Sequence, residues 1–150
     1  MIMERLPEFI ANHLFLFSLL VGILSLLLWN IFGTAASGIM EIGPSEATRL
    51  MNHEKALILD IREKSDFDQG HILNARNMPF TKLAEQTDDL AKYKDRPLII
   101  ACKQGIDSIR AARVIKQKGF EKIYCLKGGL QAWRNANLPL IRNQSLEETT

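Results

Sequence analysis

One cysteine stands where a fold could make it reactive. Cys102 follows the apolar run Pro97-Leu98-Ile99-Ile100-Ala101, which reads as a buried strand. It precedes a polar turn, Lys103-Gln104-Gly105-Ile106-Asp107, and a helical pattern from about Ser108 to Lys118 that Gly119 ends. A cysteine at a strand's carboxyl end, on a tight loop feeding a helix, sits where backbone N–H groups and the helix dipole favour negative charge. Both effects favour thiolate over thiol, and the thiolate is the nucleophile. Gly105 supplies the backbone freedom such a loop needs. The same spacing also suits a structural cysteine, and the pattern alone leaves both readings open.

The other chemistry-bearing residues have simpler readings. Asp60 and Arg62 close a second apolar run, Ala56-Leu57-Ile58-Leu59, and are expected as a buried ion pair or loop hydrogen bonds. His71, in a Gly-His-Ile turn, has no partner nearby in sequence, so a structural hydrogen bond is expected rather than a base. Cys125 lies on an apolar stretch and is expected in the core, as are Phe120 and Trp133. The charge run Lys92–Arg96 reads as a solvated turn.

Composition narrows the class. The chain has 150 residues and a formal net charge of +2, but no Lys, Arg, Asp or Glu occurs from Phe9 to Met40. From Glu41 onward there are 18 bases and 15 acids, scattered, an excess too small to argue for nucleic acid. Two cysteines make no disulfide framework. No Cys/His cluster has zinc spacing and no Gly-rich loop matches a nucleotide-binding pattern.

The elements that must position these residues follow from periodicity. Pro44–Met51 reads as a helix with Pro44 at its first position. A short helix is expected after Ser65 as N-cap, with Gly70 as its stop. Ala75–Met78 is a second short strand broken by Pro79, and Phe80–Lys92 is helical in one or two pieces. Ile123–Leu126 is another strand, followed by Gly128-Gly129 and a helix through Trp133. Strands alternating with helices predict an α/β domain with a mostly parallel central sheet and helices on both faces.

The N-terminal part is of another kind. Leu14–Phe32 is nineteen residues of apolar character on all sides, about 28 Å as a helix, close to the hydrocarbon core of a bilayer. Its reading is an uncleaved transmembrane helix. A signal peptide, cut near Thr34-Ala35-Ala36, and a buried soluble helix are the rivals. The expected organisation is a short segment over 1–13, a transmembrane helix over 14–32, a linker over 33–40, one domain over 41–141 and a frayed tail over 142–150. The domain is expected on the cytoplasmic side of an inner membrane, because it carries almost all the base.

The domain's residues carry a resemblance. Leu59-Asp60-Ile61-Arg62-Glu63, Phe67, Gly70-His71-Ile72 and Ala75-Arg76-Asn77-Met78-Pro79 resemble the rhodanese-like domain family. So do Cys102-Lys103-Gln104-Gly105, Gly119-Phe120, and Tyr124-Cys125-Leu126-Lys127-Gly128-Gly129 with Trp133. The match runs in order over about residues 40–140. With the apolar segment, the whole resembles small single-pass bacterial inner-membrane members.

The resemblance implies a three-layer α/β fold and a sulfurtransferase loop without a cofactor. Cys102 would take a sulfane sulfur from a small donor, becoming a persulfide, and pass it to a thiol or similar acceptor. The amides of Lys103, Gln104, Gly105, Ile106, Asp107 and Ser108 would cradle the outer sulfur, Lys103 would offer a cation, and Asp60 and Arg62 would support the site's edge.

The chain departs from the family's common C-R-x-G-x-R-S loop in having Lys103 for the first Arg and Asp107 for the second. Asp107 places negative charge where an anionic donor should rest, disfavouring the thiolate and repelling thiosulfate. Arg110, expected in the helix's first turn, is a candidate to compensate. Phosphatases on this fold need an Arg six places after the Cys; here that place is Ser108, so nothing would clamp a phosphoryl group. Two expectations result: a membrane-anchored protein moving sulfane sulfur through Cys102, or a catalytically weak module that docks a protein partner at the membrane.

Overall fold

The computed structural model describes residues 12–35 and 38–142. Most of the 1–13 segment and the 142–150 tail therefore lie outside the described residues. The chain divides into two compact units, Met1–Gly38 and Ile39–Thr150.

The first unit is one helix, α1, Leu14–Ala35, three residues longer than the periodicity suggested. Every side chain described in it, through Trp29, is exposed. Among the described residues no helix is long and apolar enough to cross a membrane. The stretch of α1 with described side chains spans sixteen residues.

The second unit is built on five parallel strands: β1 (Met40–Ile42), β2 (Leu57–Asp60), β3 (Arg76–Asn77), β4 (Leu98–Ala101) and β5 (Ile123–Leu126). Their order across the sheet is β1-β5-β4-β2-β3. Helices α2 (Pro44–His53), α3 (Lys64–Gln69), α4 (Leu83–Gln86), α5 (Ile106–Gln117) and α6 (Gly129–Asn135) connect them, with 3-10 turns at Phe80–Lys82 and Thr87–Tyr93.

Alternation along the strands makes two cores. Leu59, Ile100, Cys102 and Cys125 face one layer with Leu83, Leu90, Ala111, Ala112 and Ile115. Ile58, Ile99, Ala101 and Leu126 face the other, with Ala47, Leu50, Leu130 and Trp133. The central strand β4 is buried on both faces, which is why it reads as an unbroken apolar run.

Four local expectations change. β1 was read as the end of a linker and the domain's start; it is an edge strand, paired in parallel with β5 through Met40 and Tyr124. Ser65 is not an N-cap: α3 begins at Lys64, two residues earlier than a Ser65 cap requires, its N-cap Glu63 makes no side-chain capping bond, and Ser65 lies inside the helix. The Phe80–Lys92 stretch is three pieces, not one or two. α5 starts at Ile106, two residues before the expected Ser108, because Gly105 takes φ 93 as its N-cap.

The earlier start matters for the site. It puts Ile106, Asp107 and Ser108 in the first turn of α5 and moves Arg110 into the second.

Candidate functional site

The site forms where two neighbouring strands release their chains in opposite directions. The connection leaving β2 runs to β3, and the one leaving β4 runs back toward β5. In a parallel sheet that parting of loops opens a crevice at the carboxyl edge. Arg62 lies on one side of it and Cys102 on the other.

Cys102 is buried, 3% exposed, on the α5 face of the sheet. The Gly105 N–H donates to its Sγ at 2.9 Å. The Ser108 hydroxyl lies 3.1 Å from the same sulfur and donates to the Gly105 carbonyl at 3.1 Å. With Cys102 protonated, its S–H can donate to Ser108 Oγ while the hydroxyl proton rests on Gly105 O. When the proton leaves, the hydroxyl can turn and donate to sulfur. A thiolate then has two donors, one backbone and one side chain, at the N-terminus of a twelve-residue helix.

The loop owes its shape to the turn after β5. Leu130 N–H donates to the Cys102 carbonyl at 2.8 Å and Gln131 N–H to the Lys103 carbonyl at 3.2 Å. Gly128 and Gly129 have φ 71 and 58. A Cβ on Gly129 would overlap the Cys102 carbonyl oxygen and come within 2.8 Å of the Gln104 and Gly105 nitrogens. A Cβ on Gly105 would meet Gly128 N at 2.9 Å. Two backbones pack here at a distance only glycine allows. Gly128 and Gly129 are the positioning residues that reading for reactive side chains passed over; a Gly-Gly pair between a strand and a helix was their signal.

Asp60 and Arg62 make the expected buried ion pair. Arg62 Nε donates to Asp60 Oδ1 at 2.9 Å and Nη2 to Oδ2 at 2.7 Å, with Asp60 1% exposed. Nη2 also donates to the Gly70 carbonyl at 2.8 Å, tying the end of β2 to the end of α3. Asn77 Nδ2 closes the arrangement on the Asp60 and Arg62 carbonyls. His71 is structural in the way expected. Its Nδ1 meets the Phe67 carbonyl at 2.8 Å, its ring stacks on Phe67 at 3.8 Å, and its backbone pairs with Ile141.

A cleft of about 150 Å³ opens between α3, the cysteine loop and α6. Arg62, Lys103 and Arg134 bring three cations to its wall and Asp66 one carboxylate, with Leu130 and Gln131 as the floor of α6. Arg134 was not among the residues singled out from sequence, since nothing in its own neighbourhood links it to Cys102. Arg110, the expected compensating cation, is exposed on α5 and is not among the residues of this wall. Lys103, Gln104, Ile106 and Asp107 are also exposed, while Gly105 and Ser108 are buried under the loop.

Cys125 sits in the core beside β4, paired with Ile100. Burial, and then the charges of Glu41 and Cys102, push its thiol up to about 12. At neutral pH it is a packed apolar group.

Comparison with known proteins agrees with this geometry. A model of the rhodanese-like domain matches residues 43–136. The chain is 32% identical over 143 residues to Escherichia coli YibN, covering 95% of this chain and 100% of that one. It is 33% identical over 101 residues to the Vibrio cholerae thiosulfate sulfurtransferase GlpE, covering 67% of this chain and 93% of that one. A crystal structure of a rhodanese-related protein from Thermoplasma volcanium superposes with a TM-score of 0.62 at 25% identity, over 68% of this chain and 97% of that one. By its strand order, its cysteine loop and these matches, the chain belongs to the rhodanese-like domain family.

Proposed function

We propose that this protein carries sulfane sulfur on Cys102 and does so at a membrane. The observation that carries the first half is the pair of contacts on Cys102 Sγ, the donating Gly105 N–H and the Ser108 hydroxyl that can turn to donate, beside a cleft with three cations. In the forward step the Cys102 thiol releases its proton to solvent. Its thiolate attacks the outer sulfur of the donor, forming the S–S bond of a persulfide and expelling the donor's remainder with its electron pair. With thiosulfate that leaving group is sulfite. An acceptor thiolate, or cyanide in a test tube, then attacks the outer sulfur and regenerates the Cys102 thiolate. The GlpE likeness supports this chemistry class.

Charge bears on the choice of donor. Arg62 is already paired with Asp60, and Asp66 offsets another cation, so the cleft has an excess of about one positive charge. Asp107 adds an exposed carboxylate in the first turn of α5. A dianion such as thiosulfate is therefore poorly matched, and a singly charged persulfide fits better.

The membrane half rests on sequence. α1 is helical over 22 residues, about 33 Å, within a stretch that lacks any charged side chain. The YibN match takes in 95% of this chain, so the alignment reaches into the apolar segment as well as the domain. In this reading the helix is a retained anchor and the domain lies on the cytoplasmic side.

Exposing the protein to thiosulfate or to a low-mass persulfide and weighing it intact tests the chemistry. One added sulfur is expected on wild type and none on Cys102→Ser. Equal gain, or no gain with any donor, overturns the reading. The second outcome would favour the rival, a binding module whose loop lost its activity at Asp107. Then Asp107→Arg should create thiosulfate turnover from almost none. For topology, a C-terminal reporter active only outside the cytoplasm should stay silent.

A further inference from the structure

The carboxyl edge of the sheet holds the cysteine; the opposite edge holds most of the domain's uncompensated charge. Lys55 precedes β2, Lys92, Lys94 and Arg96 precede β4, and Lys118 and Lys122 precede β5. The contacts make these one surface. Arg96 Nε donates to the Lys55 carbonyl at 2.8 Å. Arg96 and Lys92 both stand over the Tyr93 ring, at 5.7 and 5.1 Å. The Lys94 ammonium lies 5.8 Å from the Phe120 ring, between Lys118 and Lys122 in sequence. The Leu98 N–H donates to the Lys122 carbonyl at 2.9 Å. Glu54, Asp95 and Glu121 are the acids interleaved with them. Six bases against three acids leave about +3, as much as the net charge of all residues from Glu41 onward.

The chain also enters the sheet at this edge. β1 is parallel to β5, and Met40 lies level with Tyr124, two residues beyond Lys122. Only five peptide steps separate Ala35, the end of α1, from Met40.

We propose that this basic edge binds the anionic lipid headgroups of the membrane in which α1 is anchored. The inference rests on the reading of α1 as an anchor. Surface bases within a Debye length of about 8–10 Å of an anionic leaflet are attracted to it, each contributing about 1 kcal/mol. The consequence is orientation. Each strand of four residues rises about 13 Å, so an edge held on the headgroups turns Cys102 and its cleft toward water, open to soluble donors and partners.

Lysine acetylation of the full chain in lipid nanodiscs tests this, read residue by residue by mass spectrometry. Adding phosphatidylglycerol to phosphatidylcholine discs is expected to slow Lys55, Lys94, Lys118 and Lys122 by about fivefold, the factor equivalent to the ~1 kcal/mol that one surface base contributes. Lys64, Lys103 and Lys127, at the carboxyl edge, should not change, and high salt should erase the difference. In the double variant Lys118→Gln, Lys122→Gln, protection of Lys55 and Lys94 should fall. Chain that enters both kinds of disc with unchanged reactivity, or with equal slowing at both edges, overturns the inference alone. Chain that enters neither overturns the anchor reading and this inference with it. Protection in native membrane vesicles but not in discs would assign the edge to an acidic protein and overturn the lipid.

Discussion

The hydroxyl of Ser108 separates two kinds of cysteine. Buried and 3.1 Å from Cys102 Sγ, it can accept from a thiol or donate to a thiolate without any backbone movement. Replacing it by Ala removes one of two donors from the thiolate, and from the thiol only the acceptor of a weak S–H donor. A hydrogen bond to a charged group contributes about 1.5 kcal/mol at the low end, so alkylation of Cys102 near neutral pH is expected to slow about tenfold. Timed iodoacetamide labelling checks this, and an unchanged rate would mean that Ser108 serves the loop's shape alone. Cys125 gives the opposite behaviour. Its thiol is held protonated up to about 12 against an ordinary 9.0. The stability gained by keeping it neutral is fully present below pH 9 and is lost as pH rises toward 12. Cys125→Ala should therefore flatten the loss of stability between those values, measured by denaturant midpoints across pH. A midpoint that falls as steeply in the variant as in wild type would show that other groups cause the alkaline loss. The sequence made Cys102 and Ser108 visible because a strand, a glycine and a helix start lie within seven residues. Arg134 stayed hidden because its place beside Lys103 depends on how α6 packs, and local spacing holds no record of that.

At the scale of elements, the cysteine loop is held by a second loop. The turn between β5 and α6 presents its Leu130 and Gln131 N–H groups to the Cys102 and Lys103 carbonyls, and it can approach only because Gly129 has no side chain. Gly129→Ala is expected to force the loops apart. The left-handed backbone alone costs about 1–3 kcal/mol, and the overlap with the Cys102 carbonyl adds to that. Thermal melting should show the destabilisation. Persulfide formation per folded molecule should fall as well, because the Gly105 N–H is displaced from Sγ. A variant that melts lower but loads sulfur normally would show that the brace supports the fold and not the chemistry. The strands β2, β4 and β5 were legible because each is a short apolar run between charged flanks. β1 was not, since Met40-Glu41-Ile42 is three residues at an edge and its pairing partner lies more than eighty residues away. The start of α5 was misplaced for a different reason: a glycine N-cap has no side-chain signature, and the exposed Ile106 looks like loop when it is the helix's first residue.

For the whole molecule, the average hydropathy of −0.04 conceals two parts of different composition. All the sheet's pairings and both cores described lie within Ile39–Thr150. The described side chains of α1 are exposed and almost wholly apolar. A helix apolar on every face, left uncovered in water, would sacrifice roughly 1.5–3 kcal/mol for each large side chain. Chain starting at residue 39 should therefore stay in the supernatant and load Cys102 at the full chain's rate. The full chain should pellet with membranes and resist extraction by alkaline carbonate, which strips proteins held by charge alone. Extraction of the full chain by carbonate would reduce the attachment to the basic edge and remove the anchor. If instead the shortened chain loads sulfur several-fold more slowly with a donor presented on vesicles, yet equally with one in solution, then placement at the membrane is itself part of how the loop meets its donor.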